Sequence, residues 1–268
     1  MSPGERILAT LAARQRVTER VLIVAAHPDD ETIGLGAQLC RFDDALLVHV
    51  TDGAPRDGRD AAAYGFAALA DYAAARRREL AAALEAGGAA HLRTFCLGIV
   101  DQEAMQHLVY LPRRVRELLK QENPRLVITH AYEGGHPDHD AAAFAVHAAC
   151  RLIPEPPAIL EMALYHRRDG QLVSGEFLPS PAQDRGAAIV LSEDELQRKQ
   201  GMIDCFTTQR WLLVQLDTGV ERLRIAPDYD FRAPPHPGEL HYETLGWGMT
   251  GVDWRRCAAA ALAELGLE

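Results

Sequence analysis

The sequence predicts an α/β protein with a Rossmann-like three-layer α/β/α architecture and a mostly parallel sheet. Strand-like apolar runs alternate with helix-like segments through the first half of the chain, which is the pattern of a parallel sheet covered by helices on both faces. The apolar fraction of 48% is enough for a sizeable core. At 268 residues we expect one domain over 1–268, with a core over about 18–166 and a C-terminal elaboration over 167–268.

The elements of the first half follow from local sequence patterns. Short apolar runs such as Val21–Ala25 are typical of buried parallel strands. The Ala/Arg/Glu-rich stretch over 64–85 has high helix propensity and stops at Gly87 and Gly88. The predicted elements are strand 21–25, helix 31–41, strand 45–51, helix 64–85, strand 91–97, helix 102–121, strand 126–130 and helix 141–153.

This alternation stops after the proline-rich stretch at 154–157. Ser192 precedes a run of acidic residues, as the N-cap of a helix often does. The segment 225–248 is rich in proline, glycine and aromatic residues, so we expect an ordered cover loop whose rings pack against the domain. The remaining predictions are a strand over 159–165, a hairpin over 171–177, a helix over 192–206 and a terminal helix over 258–265.

Charge and cysteine content exclude several classes of protein. With 28 basic and 38 acidic residues, the formal net charge of −10 opposes general binding to nucleic acid or to an anionic membrane. Five scattered cysteines without C-x-x-C spacing argue against a disulfide framework. The start of the chain lacks the apolar core of a signal peptide, and no stretch reaches membrane-spanning length. We expect a cytoplasmic protein without a nucleic-acid or membrane partner, and a homo-oligomer stays open.

Ionisable residues crowd the end of the first predicted strand, in the hexad Ala-His-Pro-Asp-Asp-Glu. Pro28 biases His27 toward an extended backbone at the strand end. The adjacent Asp29 and Asp30 point in different directions, so one can bind a metal beside His27 while the other faces whatever the metal binds. A single aspartate here would be a helix cap, but His27, two aspartates and Glu31 together are costly without a cation.

A phosphate-binding loop is a rival use of the same position between a strand and a helix. In this chain the turn carries carboxylates, whereas Gly34 and Gly36 fall inside the predicted helix. The dinucleotide-binding pattern needs its glycines at the turn itself, where the backbone approaches the phosphates. The sequence therefore disfavours a dinucleotide site.

A second cluster, His-Pro-Asp-His over 136–139, follows the predicted strand 126–130. His139 falls in the first turn of the next helix and is a candidate third ligand. His136 lies on the loop and can reach a substrate oxygen, and Asp138 can orient a histidine. A surface histidine pair with Asp138 as a cap is the alternative. The two clusters together favour a single site, because open α/β sheets bind ligands at the carboxyl ends of their strands.

These residues resemble the LmbE-like, or PIG-L, family of zinc-dependent N-deacetylases, whose members act on N-acetylated amino sugars and their conjugates. The resemblance implies one Zn²⁺ per chain, or another divalent metal, held by His27, Asp30 and His139. It implies Asp29 as the general base. It also implies that His136 stabilises the oxyanion or protonates the leaving amine.

The resemblance assigns supporting and substrate-contacting residues as well. Asp138 matches an aspartate that supports the histidines during catalysis, and Glu31 matches a residue that braces the loop. Some relatives carry a tyrosine where this chain has Gly134, so Tyr132, two residues earlier, is the candidate for that contact with substrate. Arg56, in the loop after the second strand, is a second candidate for sugar contact, with a solvated surface arginine as the alternative.

The function that the resemblance implies is removal of an N-acetyl group from an N-acetylated amino sugar or its conjugate, giving acetate and a free amine. The substrate partner is then a small molecule. An amidase acting on a larger N-acyl or thiol conjugate, of the mycothiol-conjugate type, is the first alternative. A sugar- or nucleotide-binding Rossmann-like module without catalysis is the second, and it predicts no bound metal. Phe231, Tyr242 and Trp247 are expected either to stack on a sugar or to pack in the core.

Overall fold

The computed structural model describes residues 1–179 and 186–268. The strands are β1 (Val21–Ala25), β2 (Ala45–Thr51), β3 (Arg93–Ile99), β4 (Leu126–His130), β5 (Ala158–Met162), β6 (Tyr165–Arg168), β7 (Gln171–Ser174), β8 (Gly186–Val190) and β9 (Val220–Ile225). One sheet has the order β3-β2-β1-β4-β5-β9-β8, in which β1 to β5 are parallel and β9 and β8 are antiparallel. This confirms the predicted α/β class and the mostly parallel sheet.

Helices cover both faces of this sheet. They are α1 (Pro3–Ala12), α2 (Asp30–Leu35), α3 (Arg59–Ala63), α4 (Leu69–Ala86), α5 (Tyr110–Glu122), α6 (Pro137–Arg151), α7 (Glu193–Asp204), α8 (Arg210–Leu213) and α9 (Gly251–Leu265). Side chains of β1 alternate between two cores, because Ile23 packs with α1, α4 and α7 whereas Leu22 and Val24 pack with α5, α6 and α9. In the two described ranges, no helix has the length and apolar character needed to cross a membrane.

The first predicted helix is shorter than expected, because α2 ends at Leu35 and only a 3₁₀ turn follows it. Buried side chains from the second half of the chain bind the backbone groups near this end. Lys199 Nζ donates to a carbonyl of α2 at 2.6 Å, and the N–H of Ala37 donates to Glu221 at 2.8 Å. These bonds replace the pairing that a longer helix would provide, and they fix the helix that carries Asp30.

Lys199 and Glu221 form a fully buried ion pair at 2.8 Å. Replacing Lys199 with methionine is expected to lower the free energy of unfolding by about 3–5 kcal/mol, because Glu221 is left buried without a cation. Urea unfolding measures this loss. The double variant Lys199→Met/Glu221→Gln removes both charges and is expected to recover most of the stability. A single variant within about 1 kcal/mol of wild type would contradict this account.

Two other helices of the first half differ from the prediction. The helix predicted over 64–85 begins later, as α4, because Gly65 is in the left-handed conformation, and the short helix α3 ends before the predicted range. The helix predicted over 102–121 begins later, as α5. The N–H groups of Gln102 and Ala104 donate to the carboxylate of Asp138, at 2.6 and 3.1 Å, and only a 3₁₀ turn over Ala104–His107 precedes α5. This loop is therefore tied to the second His/Asp cluster.

The second half agrees with the prediction in kind but not in every boundary. The strand predicted over 159–165 stops as β5, and β6 begins a separate antiparallel hairpin with β7, close to the one expected at 171–177. Helix α7 starts after Ser192, whose hydroxyl accepts the N–H of Glu195 in a capping box. The terminal helix α9 begins earlier than expected, because Thr250 caps it.

The segment 225–248 covers one end of the sheet as an ordered loop. Phe231 and Tyr242 are buried in the protein, so they pack as core residues. Trp247 instead lies edge-on to the ring of His136, with 5.1 Å between ring centroids. This segment therefore contributes both to the core and to the surroundings of the second cluster.

Candidate active site

Both predicted clusters follow neighbouring strands at the centre of the sheet. Strands β1 and β4 are adjacent and parallel, with β2 and β3 on one side and β5 on the other. Ligands bind at such a switch point because the loops after the two strands diverge and leave a crevice. The first cluster follows β1, and the second precedes and begins α6 after β4. The fold thus brings the two clusters to one crevice.

Two histidines flank the carboxylate of Asp30. Its Oδ2 lies 3.2 Å from His27 Nδ1, and its Oδ1 lies 3.2 Å from His139 Nε2. All three side chains are buried. His139 Nε2 makes no hydrogen bond to the residues that the structure describes, in spite of its burial and its contact with Asp30. A buried polar atom without a hydrogen bond is a sign that a water or an ion belongs there.

The spacing of these atoms fits a metal ion. Ligand atoms about 2.0–2.2 Å from a tetrahedral zinc are about 3.3–3.6 Å apart. Both contacts of Asp30 are close to this separation, at 3.2 Å. Two imidazole nitrogens and one carboxylate oxygen are a donor set of catalytic zinc sites, in which a further position stays open. The side chains present are therefore able to hold a metal.

Other histidines surround the same position. Compact donor sets among the described residues are His27–His136–His139, His27–Asp101–His136–Asp138 and Asp30–His130–His139. The three predicted ligands His27, Asp30 and His139 do not form one such set, although the carboxylate of Asp30 contacts each of the two histidines. His130 stacks on His139, but its Nε2 already accepts the N–H of Ala26 at 2.9 Å. That bond uses the lone pair a metal would need, which favours His27 over His130 as the partner of Asp30.

His136 is oriented by its own helix. Its Nδ1 accepts the N–H of Asp138 at 3.1 Å, so that the side chain caps α6. In a neutral ring the proton is then on Nε2, which becomes a hydrogen-bond donor. Burial, together with the charge of His27, lowers the pKa of His136 to about 3. The ring is therefore neutral near pH 7 and offers one donor beside His27, with 4.5 Å between ring centroids.

The carboxylates around His27 favour positive charge on that ring. Burial disfavours the imidazolium of His27, but the carboxylates of Asp101 and Asp30 outweigh burial and raise the pKa of His27 well above its ordinary value. Burial alone would raise the pKa of Asp30, yet nearby histidines, chiefly His139 and His130, lower it well below its ordinary value. A potential that stabilises an imidazolium also stabilises a metal cation in the same place.

Asp29 has an unusual backbone and an unusual pKa. Its φ of 138° is in a region that residues with a side chain rarely adopt, and such strain is typical of functional sites. The N–H of Asp29 donates to Glu31, and Oδ2 accepts a hydrogen bond from Arg76 at 3.1 Å. Burial raises the pKa of Asp29 to about 7, although Arg76 opposes this shift. Such a carboxylate can accept and return a proton near neutral pH.

Two further carboxylates hold the loops in place. The carboxylate of Glu31 lies 2.9 Å from His49 Nε2 on β2 and is completely buried. Asp138 lies 3.3 Å from His27 Nε2 and accepts the N–H of Gln102. Asp138 therefore faces the ring nitrogen of His27 that points away from Asp30. A carboxylate in this position fixes the orientation and tautomer of a metal-binding histidine.

A cavity of about 390 Å³ opens beside this centre, within the size range of small-molecule sites. The residues of the two clusters that line it are His27, Asp29, Asp30 and His136. The other lining residues include Pro55, Asp57, Arg59, Asp60, Arg76, Asp101, Gln102, Tyr165, Gln209, His241 and several large apolar side chains. The cavity gives a small molecule access to Asp29 and to the candidate metal position.

The two residues predicted to contact substrate do not line this cavity. Arg56 does not line the cavity, because its exposed guanidinium pairs with Glu103 at 2.8 Å. Tyr132 does not line it either: its hydroxyl donates to the carbonyl of Ala233 at 3.0 Å, and its ring packs against Trp254. Ion pairing in the first case and aromatic packing in the second determine where these side chains point.

The loop position that carries a tyrosine in some relatives is blocked in this chain. Gly134 has a φ of +70°, and a Cβ atom there would lie 2.6 Å from Leu240 Cδ2. The N–H of His241 donates to the carbonyl of Gly134 at 2.9 Å, which holds the two segments together. The segment 225–248 thus occupies the space beside Gly134.

The sequence predictions missed several residues of the site, Asp101 and Tyr165 among them. Asp101 Oδ1 lies 3.1 Å from His27 Nε2, and the ring of Tyr165 lies edge-on to His139 at 5.1 Å between centroids. Asp101 comes just after β3, so an acidic residue following a parallel strand was an available sign. Tyr165 begins β6 on a hairpin, and no sequence pattern places that hairpin beside the site.

Fold and site together define the class: an α/β protein with a candidate metal centre at the switch point of a mostly parallel sheet. A family model described as PIG-L, GlcNAc-PI de-N-acetylase, matches residues 22–150. A probable N-acetyl-alpha-D-glucosaminyl L-malate deacetylase 2 of Bacillus cereus is 30% identical over 158 residues, which are 57% of this chain and 71% of that protein. The chain belongs to the PIG-L, or LmbE-like, family, and the resemblance inferred from the two clusters is confirmed.

Two further comparisons agree with this assignment. The 1D-myo-inositol 2-acetamido-2-deoxy-alpha-D-glucopyranoside deacetylase 1 of Saccharopolyspora erythraea is 28% identical over 212 residues, 65% of this chain. The aligned part spans 66% of the length of that relative. The crystal structure of a teicoplanin deacetylase in its zinc-inhibited form has a TM-score of 0.58 and 17% identity, covering 79% of this chain and 100% of that one. At that identity the similarity shows a shared fold.

Proposed function

We propose that this protein is a Zn²⁺-dependent hydrolase that removes the N-acetyl group from an amino-sugar conjugate. Membership of the PIG-L family supports the reaction, as do the names of two relatives, which are deacetylases of glucosaminyl conjugates of inositol and of malate. The observation that carries the proposal is the position of Asp29. It is a buried carboxylate with a pKa of about 7, one residue from Asp30 and on the wall of the same cavity.

The metal would be held by His27 Nδ1, the carboxylate of Asp30 and His139 Nε2. A bound Zn²⁺ supplies Lewis acidity toward the amide carbonyl and lowers the pKa of a water molecule to about 7. Asp138 keeps the Nδ1 of His27 directed at this position, because it lies beside the opposite ring nitrogen at 3.3 Å. The donor set of two imidazoles and one carboxylate supports zinc over the oxygen-preferring Mg²⁺ and Ca²⁺.

The other side chains move protons and stabilise charge. Asp29 accepts a proton from the water molecule that attacks the carbonyl carbon of the N-acetyl group. His136 donates the hydrogen of Nε2 to the oxygen that becomes negative, and loss of such a donor typically lowers the rate by a factor of ~10²–10³. When the C–N bond breaks, Asp29 returns its proton to the amine nitrogen, since His136 is neutral and has no spare proton to give. The products are acetate and the free amine.

Product analysis tests the proposal directly. The purified protein is incubated with N-acetylglucosamine conjugates, with larger N-acyl analogues and with thiol conjugates, and the products are followed by NMR. We expect acetate and amine in equal amounts from the N-acetylated sugars. Faster cleavage of larger acyl or thiol conjugates would instead identify the amidase alternative. Zinc-loaded protein that binds a sugar but releases no acid from any substrate would identify a non-catalytic module.

The dependence of kcat/KM on pH is expected to follow the ionisation of the Asp29 carboxylate. This carboxylate must be ionised to accept a proton, so kcat/KM should rise about tenfold per pH unit and then level off. The midpoint is expected between the ordinary 3.8 and about 7, because burial raises the pKa and a nearby cation lowers it again. Steady-state rates measured at a series of pH values determine this rising part of the profile. A profile that stays level from pH 7 down to about pH 4 would contradict the role of Asp29.

We also propose the cytoplasm as the compartment of this reaction and a small molecule as the partner. The five cysteines are unpaired, which suits a reducing environment. Thiol titration of the protein purified from the cytoplasmic fraction is expected to give five free thiols per chain after unfolding. Recovery of the protein with membranes or outside the cell would contradict this part of the proposal.

A further inference from the structure

The lining of the cavity contains two chemically different groups of side chains, together with polar residues such as Arg59 and Gln215. One group consists of buried ionisable side chains, among them His27, Asp29 and Asp30. The other group, here called the apolar end, consists of large apolar side chains from three separate parts of the chain. These are Leu172 on β7, Trp211, Leu212, Leu213 and Leu216 on and after α8, and Leu245 and Trp247 in the segment 225–248.

The apolar end is open to solvent. Trp211 is 56% exposed, Leu245 is 40% exposed and Leu172 is 39% exposed. Single exposed apolar side chains are common on protein surfaces, but here three of them converge on one cavity from different elements. An apolar rim of this kind marks a place where an apolar group is removed from water.

The apolar wall is continuous with the reaction centre. Trp247 lies edge-on to His136, 5.1 Å between centroids, while Leu245 is exposed at the end of the preceding 3₁₀ turn. On another side Leu164 and Tyr165 line the cavity, and Tyr165 contacts His139. A single substrate molecule can therefore contact both groups of side chains at once.

We propose that this apolar end is a subsite for an alkyl or aryl aglycone, so that the preferred substrate is an N-acetylated amino sugar carrying an apolar group at its anomeric position. This inference rests on the proposed deacetylase function and adds the class of conjugate. The aglycone packs against Trp211, Leu172 and Leu245 and is thereby removed from water. Each methylene group buried there is expected to raise kcat/KM up to about fourfold, from the transfer free energy of a CH₂.

The geometry favours an aglycone over a long N-acyl chain. The reacting carbonyl has to lie at the buried centre, beside Asp29 and Asp30, which are 6% and 4% exposed. An acyl chain begins at that carbonyl, so its first methylene groups would be placed among carboxylates and imidazoles. The anomeric carbon is bonded to the carbon that carries the acetamide, so an anomeric group leaves the sugar on the amine side of the scissile bond and not through the reacting carbonyl. Such a group can reach the exposed rim while the acetamide stays at the centre.

The test compares methyl, butyl and octyl glycosides of N-acetylglucosamine, in both anomeric forms and below their micelle concentrations. For the wild-type protein we expect kcat/KM to be about tenfold or more higher for the octyl than for the methyl glycoside. In Trp211→Gln/Leu245→Gln this octyl-to-methyl ratio is expected to fall toward one. The matched control Val190→Gln/Val252→Gln replaces two exposed apolar residues that do not line the cavity, and it should keep the wild-type ratio.

Three results would overturn the subsite. The first is an octyl-to-methyl ratio near one in the wild-type protein, and the second is a full ratio in the Trp211→Gln/Leu245→Gln variant. The third is an equal gain from an N-octanoyl chain on the methyl glycoside, lost in the same variant, which would assign the wall to the acyl group. If no glycoside is hydrolysed, the proposed function fails instead. The subsite is then tested alone by calorimetry, which measures the affinities of octyl and methyl glucosaminide. The octyl-to-methyl ratio of these affinities is expected to equal the ratio predicted for kcat/KM.

Discussion

Replacing Asp29 with asparagine is expected to lower kcat for deacetylation by a factor of ~10²–10⁴, the usual contribution of a general base. Asparagine has the same size and still offers an oxygen to Arg76, but it cannot take a proton from water. The metal content should not change, because the carboxylate of Asp29 is held by Arg76 rather than directed at His139. Initial rates of acetate release and elemental analysis, made on the same sample, measure both quantities.

Asp71→Asn is a suitable control for this variant. Asp71 is an exposed aspartate near the start of α4 and does not line the cavity. We expect this control to keep the wild-type rate and metal content. If Asp29→Asn retained kcat within about tenfold of wild type while fully loaded with metal, another group would have to be the base.

Loss of the metal is the second large effect that we expect, in the variants His27→Ala, Asp30→Ala and His139→Ala. Each variant removes one of the three proposed protein ligands, so the bound metal should fall from one per chain to near zero and the activity should disappear. His136→Ala is expected to keep the metal and to lose a factor of ~10²–10³ in kcat, because it removes only a donor to the oxyanion. Elemental analysis after gel filtration distinguishes the two outcomes.

His130→Phe is the matched control for the ligand variants. His130 is as close to Asp30 as a ligand would be, at 3.4 Å, and belongs to a compact donor set with Asp30 and His139. Phenylalanine preserves the stacking on His139 and removes both ring nitrogens. Because His130 Nε2 accepts the N–H of Ala26, we expect this variant to retain its metal. If His130→Phe or His136→Ala lost the metal while His27→Ala retained it, the predicted ligand set would be wrong.

The sequence was most informative where a strand end determines position. Residues directly after β1 and β4 had to lie together, because parallel neighbouring strands deliver their carboxyl ends to the same edge of the sheet. The proximity of His27, Asp30 and His139 follows from this rule. The rule extends to Asp101 after β3, although this strand is two positions away from β1 in the sheet.

The sequence was least informative where long-range packing decides the direction of a side chain. Tyr132 is close in sequence to the second cluster, yet its ring enters an aromatic core with Phe231 and Trp254, which come from the last part of the chain. Arg56 was placed correctly on the loop after β2, but its ion pair with Glu103 directs it away from the cavity. Neither partner could be chosen from local patterns.

The walls of the cavity were also beyond the sequence. Trp211 and Leu245 are far apart in the chain and belong to short helical turns, and no periodic pattern indicates that they face the same space. Their convergence depends on how the hairpin β6–β7, the turn around α8 and the segment 225–248 assemble around the sheet. In our proposal these parts select the preferred conjugate, whereas the two clusters carry out the reaction.

A zinc titration of the metal-free protein tests the central claim most directly. The protein is treated with a chelator, exchanged into metal-free buffer and titrated with Zn²⁺, while acetate release from an N-acetylglucosamine conjugate is followed. We predict no activity before addition, a linear rise up to one equivalent of zinc per chain, and no rise at any amount of zinc in His139→Ala. Acetate release that persists in the chelated protein, or a zinc-loaded protein that releases none, would contradict the account.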